Sequence, residues 1–229
     1  MAFPTGVGPV PPLHGYRGDA APPPRPPGPA GFTVAVSREA GARGGSVARR
    51  AARLLGWQVF DQEALDYLTR DDAARADLLA DLSPGARAWA DAQTARLTAG
   101  RDPAAGDMVR LIVALAARGE AVIVGRGAGF LLPPATTVHV RVVAPLAERV
   151  AYLGDVLRLP PAEAAAAVRD RDRRRETFIT TVVAVNPADD GGYDMVLNTG
   201  RLGEYAAAGL IVQAVVGRMA AETVAADAP

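Results

Sequence analysis

The stretch SREAGARGGSVARR, Ser37 to Arg50, follows a short apolar run, TVAV, and leads into a helix-like pattern. Gly41, Gly44 and Gly45 let main-chain N–H groups turn inward, and the start of a following helix adds its positive end, which together make a seat for phosphate. Ser46 stands at the helix opening, where a hydroxyl can join Mg²⁺. The strict phosphate loop also carries a lysine for the β and γ phosphates, and none is present here. Any cation in its place must be an arginine, and Arg43 is the one beside the Gly pair. The alternative is a Gly-rich strand-to-helix turn that holds no ligand.

Two further stretches carry candidate chemistry. Gly125-Arg126-Gly127, with Gly129 close behind, follows an apolar run. An arginine there is placed either to grip a phosphate or carboxylate between small neighbours, or to make a salt bridge on the rim. RDRDRRRETF, Arg169 to Phe178, is the most charge-dense segment. On a helix it sets Arg171 one turn from Arg175 and lets Asp172 pair with Arg169 or Arg175, which solvated ion pairs would explain. Interleaved acids and few aromatics argue against nucleic acid. Asp61 precedes Gln62 and Glu63 and reads as an N-cap. Glu39 either orients Mg²⁺ water or pairs with Arg38 or Arg43. His14 and His139 do not form a catalytic pair, and His139 reads as a structural or surface residue.

At 229 residues, 49% of them hydrophobic, the chain has room for one domain plus an appendage. Formal charge is zero, so no global field draws it to nucleic acid or an acidic membrane, and any anion site is local. All 25 basic residues are arginine, a pattern that codon bias alone would produce. Every cationic contact to phosphate must then be a planar fork rather than a point charge. No cysteine is present, which excludes disulfides and thiolate chemistry. No basic-then-apolar leader and no apolar run near the roughly 18 residues of a membrane span is found. A cytoplasmic monomer or homodimer is expected.

Positioning these residues requires a particular scaffold. Residues 1 to 31 hold ten of the 19 prolines, including PPPRPP at 22 to 27. They read as a disordered tail that could serve a proline-reading partner. From Phe32, short apolar runs alternate with amphipathic segments, the pattern of an α/β domain with a parallel sheet. Strands are expected at 33–36, 57–60, 121–124, 138–143 and 195–198. Helices are expected at 45–55, 145–157, 161 to about 180, and 203–221. Residues 62–118 carry only helical signals, with Ser83-Pro84 and Asp102-Pro103 as starts and Gly119 as a stop. Ligands on such sheets bind beyond the carboxyl ends of the strands, which would align Ser37 to Ser46, Asp61, Gly125 to Gly129 and Asn198 on one rim.

Taken together, SREAGARGGS, WQVFD, AVIVGRGAGFLL, the arginine-rich helix and YDMVLNT resemble the cytidylate kinase-like family, a branch of the P-loop nucleoside monophosphate kinases, from about Phe32 to Met219. Members commonly read Ser-Arg-Glu-x-Gly-x-Gly-Gly-Arg; here the arginine precedes the Gly pair, at Arg43. The resemblance implies a three-layer P-loop kinase fold with a five-stranded parallel sheet, a helical acceptor-site insertion at 62–118 and a lid within 158–190. It also implies ATP and Mg²⁺ as cofactors and phosphoryl transfer to a nucleoside monophosphate, CMP or dCMP. In that reading Arg38, Gly41, Ala42, Gly44, Gly45, Ser46 and Arg171 hold ATP, and Ser46 meets the metal. Asp61, Arg126 and Asp172 receive the acceptor, and Arg43, Arg126, Asp172 and Arg175 take part in transfer. A nucleotide-binding module without turnover, or a kinase for another small acceptor, fits the same residues.

Overall fold

The computed structural model describes residues 28–99 and 103–226. The PPPRPP segment lies outside the described residues, as does the Asp102 expected to start a helix. Of the proline-rich stretch, residues 28–31 are described, and the Ala30 N–H already donates to the Ala117 carbonyl at 2.8 Å.

Five strands form one sheet: β1 (Thr33–Arg38), β2 (Gln58–Phe60), β3 (Ala121–Val124), β4 (Thr137–Val143) and β5 (Met195–Asn198). Their order is β2-β3-β1-β4-β5, and every pairing is parallel. Strands buried on both faces read as continuous apolar runs, which is why AVIV and TVAV were legible as strands. Alternate residues face opposite layers. Val34, Val36, Val122, Val138 and Val140 pack with Val47, Ala48, Ala51, Ile211 and Val215 of α1 (Gly44–Leu55) and α9 (Thr199–Ala226). Ala35 and Ile123 pack on the other face with Leu65, Leu111, Ile112 and Leu115 of α2 (Gln62–Arg70) and α5 (Pro103–Arg118). The result is a three-layer α/β fold around a five-stranded parallel sheet.

Between α2 and α5 stand α3 (Asp72–Leu79) and α4 (Pro84–Thr98), so every element described within 62–118 is a helix, as expected from the pattern. Ser83 caps α4 by accepting from the Ala86 N–H at 3.2 Å, with Pro84 in the first turn. After β3 comes the single turn α6 (Ala128–Leu131), too short for a periodic signal. Two helices, α7 (Leu146–Leu157) and α8 (Pro161–Phe178), follow β4. A π-helical turn, Ile179–Val183, extends α8.

The last helix departs furthest from the sequence pattern, running on to Ala226 and not 221. Helical signal began at residue 203, but α9 opens at Thr199 and breaks at Gly203 (φ 72°, ψ 169°). Thr199 holds that first turn down, its hydroxyl donating to the Ala42 carbonyl at 2.9 Å. Such a long-range anchor leaves no trace in local periodicity.

Candidate functional site

The loop from Glu39 to Arg43 leaves β1 at the carboxyl rim and is pinned from one side by α7 and α8. Gly41 takes φ 79°, and an added Cβ would lie 2.3 Å from the Arg149 carbonyl oxygen. Glycine is required there by conformation and by clearance. The Ala40 N–H donates to Asp172 Oδ1 at 2.6 Å, while Arg149 Nη1 donates to Asp172 Oδ2 at 2.6 Å and to the Ala40 carbonyl at 3.2 Å. Glu39 pairs with neither Arg38 nor Arg43. Its carboxylate meets Arg149 at 3.3 Å and Arg141 at 4.0 Å, and accepts from the Ala144 N–H. Glu39 is thus a clamp on the loop.

At the start of α1 the main-chain N–H groups of Arg43, Gly44 and Gly45 meet no acceptor among the described residues, whereas those of Ser46 and Val47 are taken by the Arg43 carbonyl. The Ser46 hydroxyl likewise makes no hydrogen bond among the described residues. Arg43 occupies the N-cap in the left-handed region (φ 59°). Its side chain turns to Glu204, 3.6 Å away, and to the face of the Tyr152 ring, 4.8 Å to the centroid.

Beside this loop a cavity of about 860 Å³ opens over the ends of β1 and β3. Six arginines line it: Arg38, Arg126, Arg141, Arg171, Arg174 and Arg175. With them stand Ser37 and Asp172. Gly41 to Ser46 and Asp61 are not among its walls. Arg126 sits in a run of three left-handed residues, Gly125 (φ 85°), Arg126 (φ 56°) and Gly127 (φ 68°), and donates to Asp66 Oδ1 at 2.5 Å. Its Nε, like Arg175 Nη1, is buried without a hydrogen-bond partner. Burial pushes the Arg175 guanidinium below its usual range, with Asp172 opposing. For Arg38, burial first and the charges of Arg175 and Arg126 second lower its pKa to about 10. Six guanidinium groups against the four carboxylates of Glu39, Glu63, Asp172 and Glu176 leave this cavity wall net cationic, a place for an anion.

Asp61 acts as the N-cap of α2, accepting from the Ala64 N–H at 3.2 Å, and its charge is felt at Arg38. Asp61→Ala is expected to cost about 1 kcal/mol, seen in thermal unfolding as roughly 2–4 °C.

Sequence reasoning missed Arg149, Arg141, Asp66 and the Ser37–His139 pair. Arg149 looks like a surface residue of LAERVAY, yet its side chain is 11% exposed because α7 folds over the loop. Only tertiary proximity reveals it. His139 is buried, with Nδ1 2.7 Å from the Gly192 carbonyl and Nε2 3.0 Å from Ser37 Oγ. A carbonyl only accepts, so Nδ1 carries the proton and Nε2 accepts from the Ser37 hydroxyl. Burial lowers the His139 pKa to about 4. The unfolded chain, near 6.5, therefore binds a proton that the folded chain refuses. Above about pH 7 the group contributes nothing. Stability should fall as pH drops from about 6.5 to about 4, by about 3 kcal/mol from this group, and level off below. Chemical denaturation against pH checks this, with the slope in that window reduced in His139→Gln.

Residues 33–201 match the profile of the Cytidylate kinase-like family. The chain belongs to that family. The fold of this cytidylate kinase-like chain is similar to that of an uncharacterized protein from Eubacterium ventriosum, which superposes with TM-score 0.63 at 19% identity, covering 81% of this chain and 98% of that one. Shikimate kinase from Bacteroides thetaiotaomicron is similar at TM-score 0.45 and 13% identity, over 82% of this chain and 98% of that one. A uronate isomerase from Corynebacterium glutamicum is 35% identical over 82 residues, 35% of this chain, and the match spans 16% of that protein's length. Among the described residues, no helix of this cytidylate kinase-like chain is long and apolar enough to cross a membrane.

Proposed function

We infer that this chain catalyses ATP-dependent phosphoryl transfer to a nucleoside monophosphate, CMP or dCMP. The observation that carries the reading is the convergence of Arg38, Arg126 and Arg175 on one cavity at the carboxyl rim, in a member of the cytidylate kinase-like family. Phosphoryl transfer needs little covalent help from a protein. Positioning and charge neutralisation provide almost all of it. In this reading the N–H groups of Gly44 and Gly45 and the α1 dipole hold the triphosphate, with Gly41 and Ala42 shaping the turn. Arg126 grips the acceptor phosphate, with Asp61 nearby, and Arg171 and Arg175 close over the transferring group from α8. Asp172 ties that helix to the loop through Ala40 and Arg149. No general base is required, because the acceptor phosphate is already ionised near pH 7. The region 62–118 serves as acceptor-site insertion and 158–190 as lid.

Among the described residues no cluster of three or more His, Cys, Asp or Glu could hold a metal by itself. The donor set fits Mg²⁺ carried on the triphosphate, with the unbonded Ser46 hydroxyl as protein ligand. So bound, it would neutralise charge on the β and γ oxygens.

The second reading is a nucleotide-binding module without turnover. It is favoured by Arg43, the cation of the loop itself, being held by Glu204 and Tyr152 outside the cavity. The test is incubation with Mg-ATP and a panel of nucleoside monophosphates, following ADP and diphosphate. Turnover with CMP or dCMP supports the enzyme. ATP binding with no acceptor phosphorylated supports the module, and absence of nucleotide binding overturns both.

A further inference from the structure

Arg38 stands out among the described arginines. Its guanidinium makes no hydrogen bond and no ion pair among the described residues, although the side chain is half-buried in the wall of the cavity. Removing a cation from water without a partner is costly, and folded proteins normally pair such groups or leave them out. Here the fold makes room for it twice. An added Cβ on Gly125 would lie 1.9 Å from Arg38 Nη1, and one on Gly44 would lie 2.5 Å from Arg38 Cβ. The side chain therefore spans from the open amides at the start of α1 to the turn that carries Arg126. It points between the two places where a donor and an acceptor phosphate would sit. Arg126 and Arg175 repel it rather than satisfy it, and Asp61 offsets them only in part. Arg43, by contrast, already has Glu204 and Tyr152.

We propose that Arg38, and not Arg43, is the cation that receives the terminal phosphoryl group of a polyphosphate in this chain, taking the part of the absent lysine. This rests on the reading of the rim as a polyphosphate site and assigns its central charge. A guanidinium anchored on the last residue of β1 reaches the phosphoryl group from beneath the loop. An ordinary lysine comes from the helix start, so the displaced position of Arg43 has no bearing on binding.

The test uses inorganic pyrophosphate and ATP as probes, by calorimetric titration of the full chain and its Arg38→Met, Arg38→Lys and Arg43→Met variants. Arg38→Met is expected to weaken pyrophosphate at least ~10-fold, Arg38→Lys less, and Arg43→Met no more than about 2-fold. Because the ligand-free protein bears an unpaired charge, Arg38→Met is also expected to raise its Tm by ~2–4 °C, which a merely structural arginine would not do. Arg38→Gln, of similar stem length and uncharged, repeats the binding test if the methionine variant does not fold. The proposal is overturned if Arg38→Met and Arg38→Gln bind pyrophosphate like the parent, if Arg43→Met is the variant that loses it, if removing Arg38 lowers the ligand-free Tm, or if the parent binds no pyrophosphate. Turnover with CMP on the same preparations separates the two claims. Binding through Arg38 without phosphorylation of any acceptor overturns the kinase reading alone, whereas turnover with pyrophosphate affinity indifferent to Arg38 overturns this proposal alone.

Discussion

Arg126→Ala is expected to reduce phosphoryl transfer to CMP by about 10³-fold or more, while ATP still binds. The expectation follows from where the side chain is held. A non-glycine residue in the left-handed region is strained, and it persists only where its surroundings over-determine it. Arg126 is fixed there by Gly125 and Gly127 on either side, by the ion pair with Asp66, and by the Phe178 ring 5.3 Å from its guanidinium carbon. Those contacts orient the fork into the cavity and leave its Nε without a protein acceptor. Alanine keeps the turn but removes the only part of the residue that an acceptor phosphate would meet. Lysine restores a charge without the bidentate geometry and should recover a minor share of the rate. Steady-state turnover against CMP, together with ATP titration, reads both quantities. An Arg126→Ala enzyme with parental turnover would place the acceptor elsewhere.

Gly41→Ala should be strongly destabilising, costing roughly 3 kcal/mol and lowering Tm by about 6–12 °C. Two costs coincide at this position. The backbone is at φ 79°, and the new Cβ would meet the Arg149 carbonyl oxygen, carbon and Cα at 2.3 to 2.8 Å. Those are main-chain atoms of a packed helix, so no side chain can swing away. Relief requires lifting the loop off α7, which would also loosen the Ala40–Asp172 and Ala40–Arg149 bonds. Gly56→Ala supplies the control. Gly56 caps α1 at φ 73°, yet an added Cβ there meets nothing within 4 Å, so only the conformational cost of about 1 kcal/mol remains. Thermal unfolding of the two variants separates clearance from backbone preference, and equal losses would show that α7 does not constrain the loop.

Much of the scaffold is legible in the sequence. Apolar runs such as AVIV and VHVRVV marked strands because a parallel sheet is buried on both faces, and the strand-helix alternation implied right-handed parallel connections. Gly56 and Ser83 marked helix ends because their chemistry at those positions is local. The candidate site was legible in part. Arg38, Arg126, Arg171, Asp172 and Arg175 were singled out by motif and resemblance, and all five line one cavity.

Chain order determined which residues reach the carboxyl rim, since each sits at or just after a strand end or on the charge-dense helix. It could not determine which of them face one another. Glu39, Arg141 and Arg149 come together only when α7 folds across the loop, and Arg43 meets Glu204 outside the cavity whereas two glycines 81 residues apart, Gly44 and Gly125, leave room for Arg38 in its wall. Local sequence encodes backbone preference and burial, both short-range quantities. Pairing of charges across the rim depends on distances set by packing, and those exist only in the folded chain.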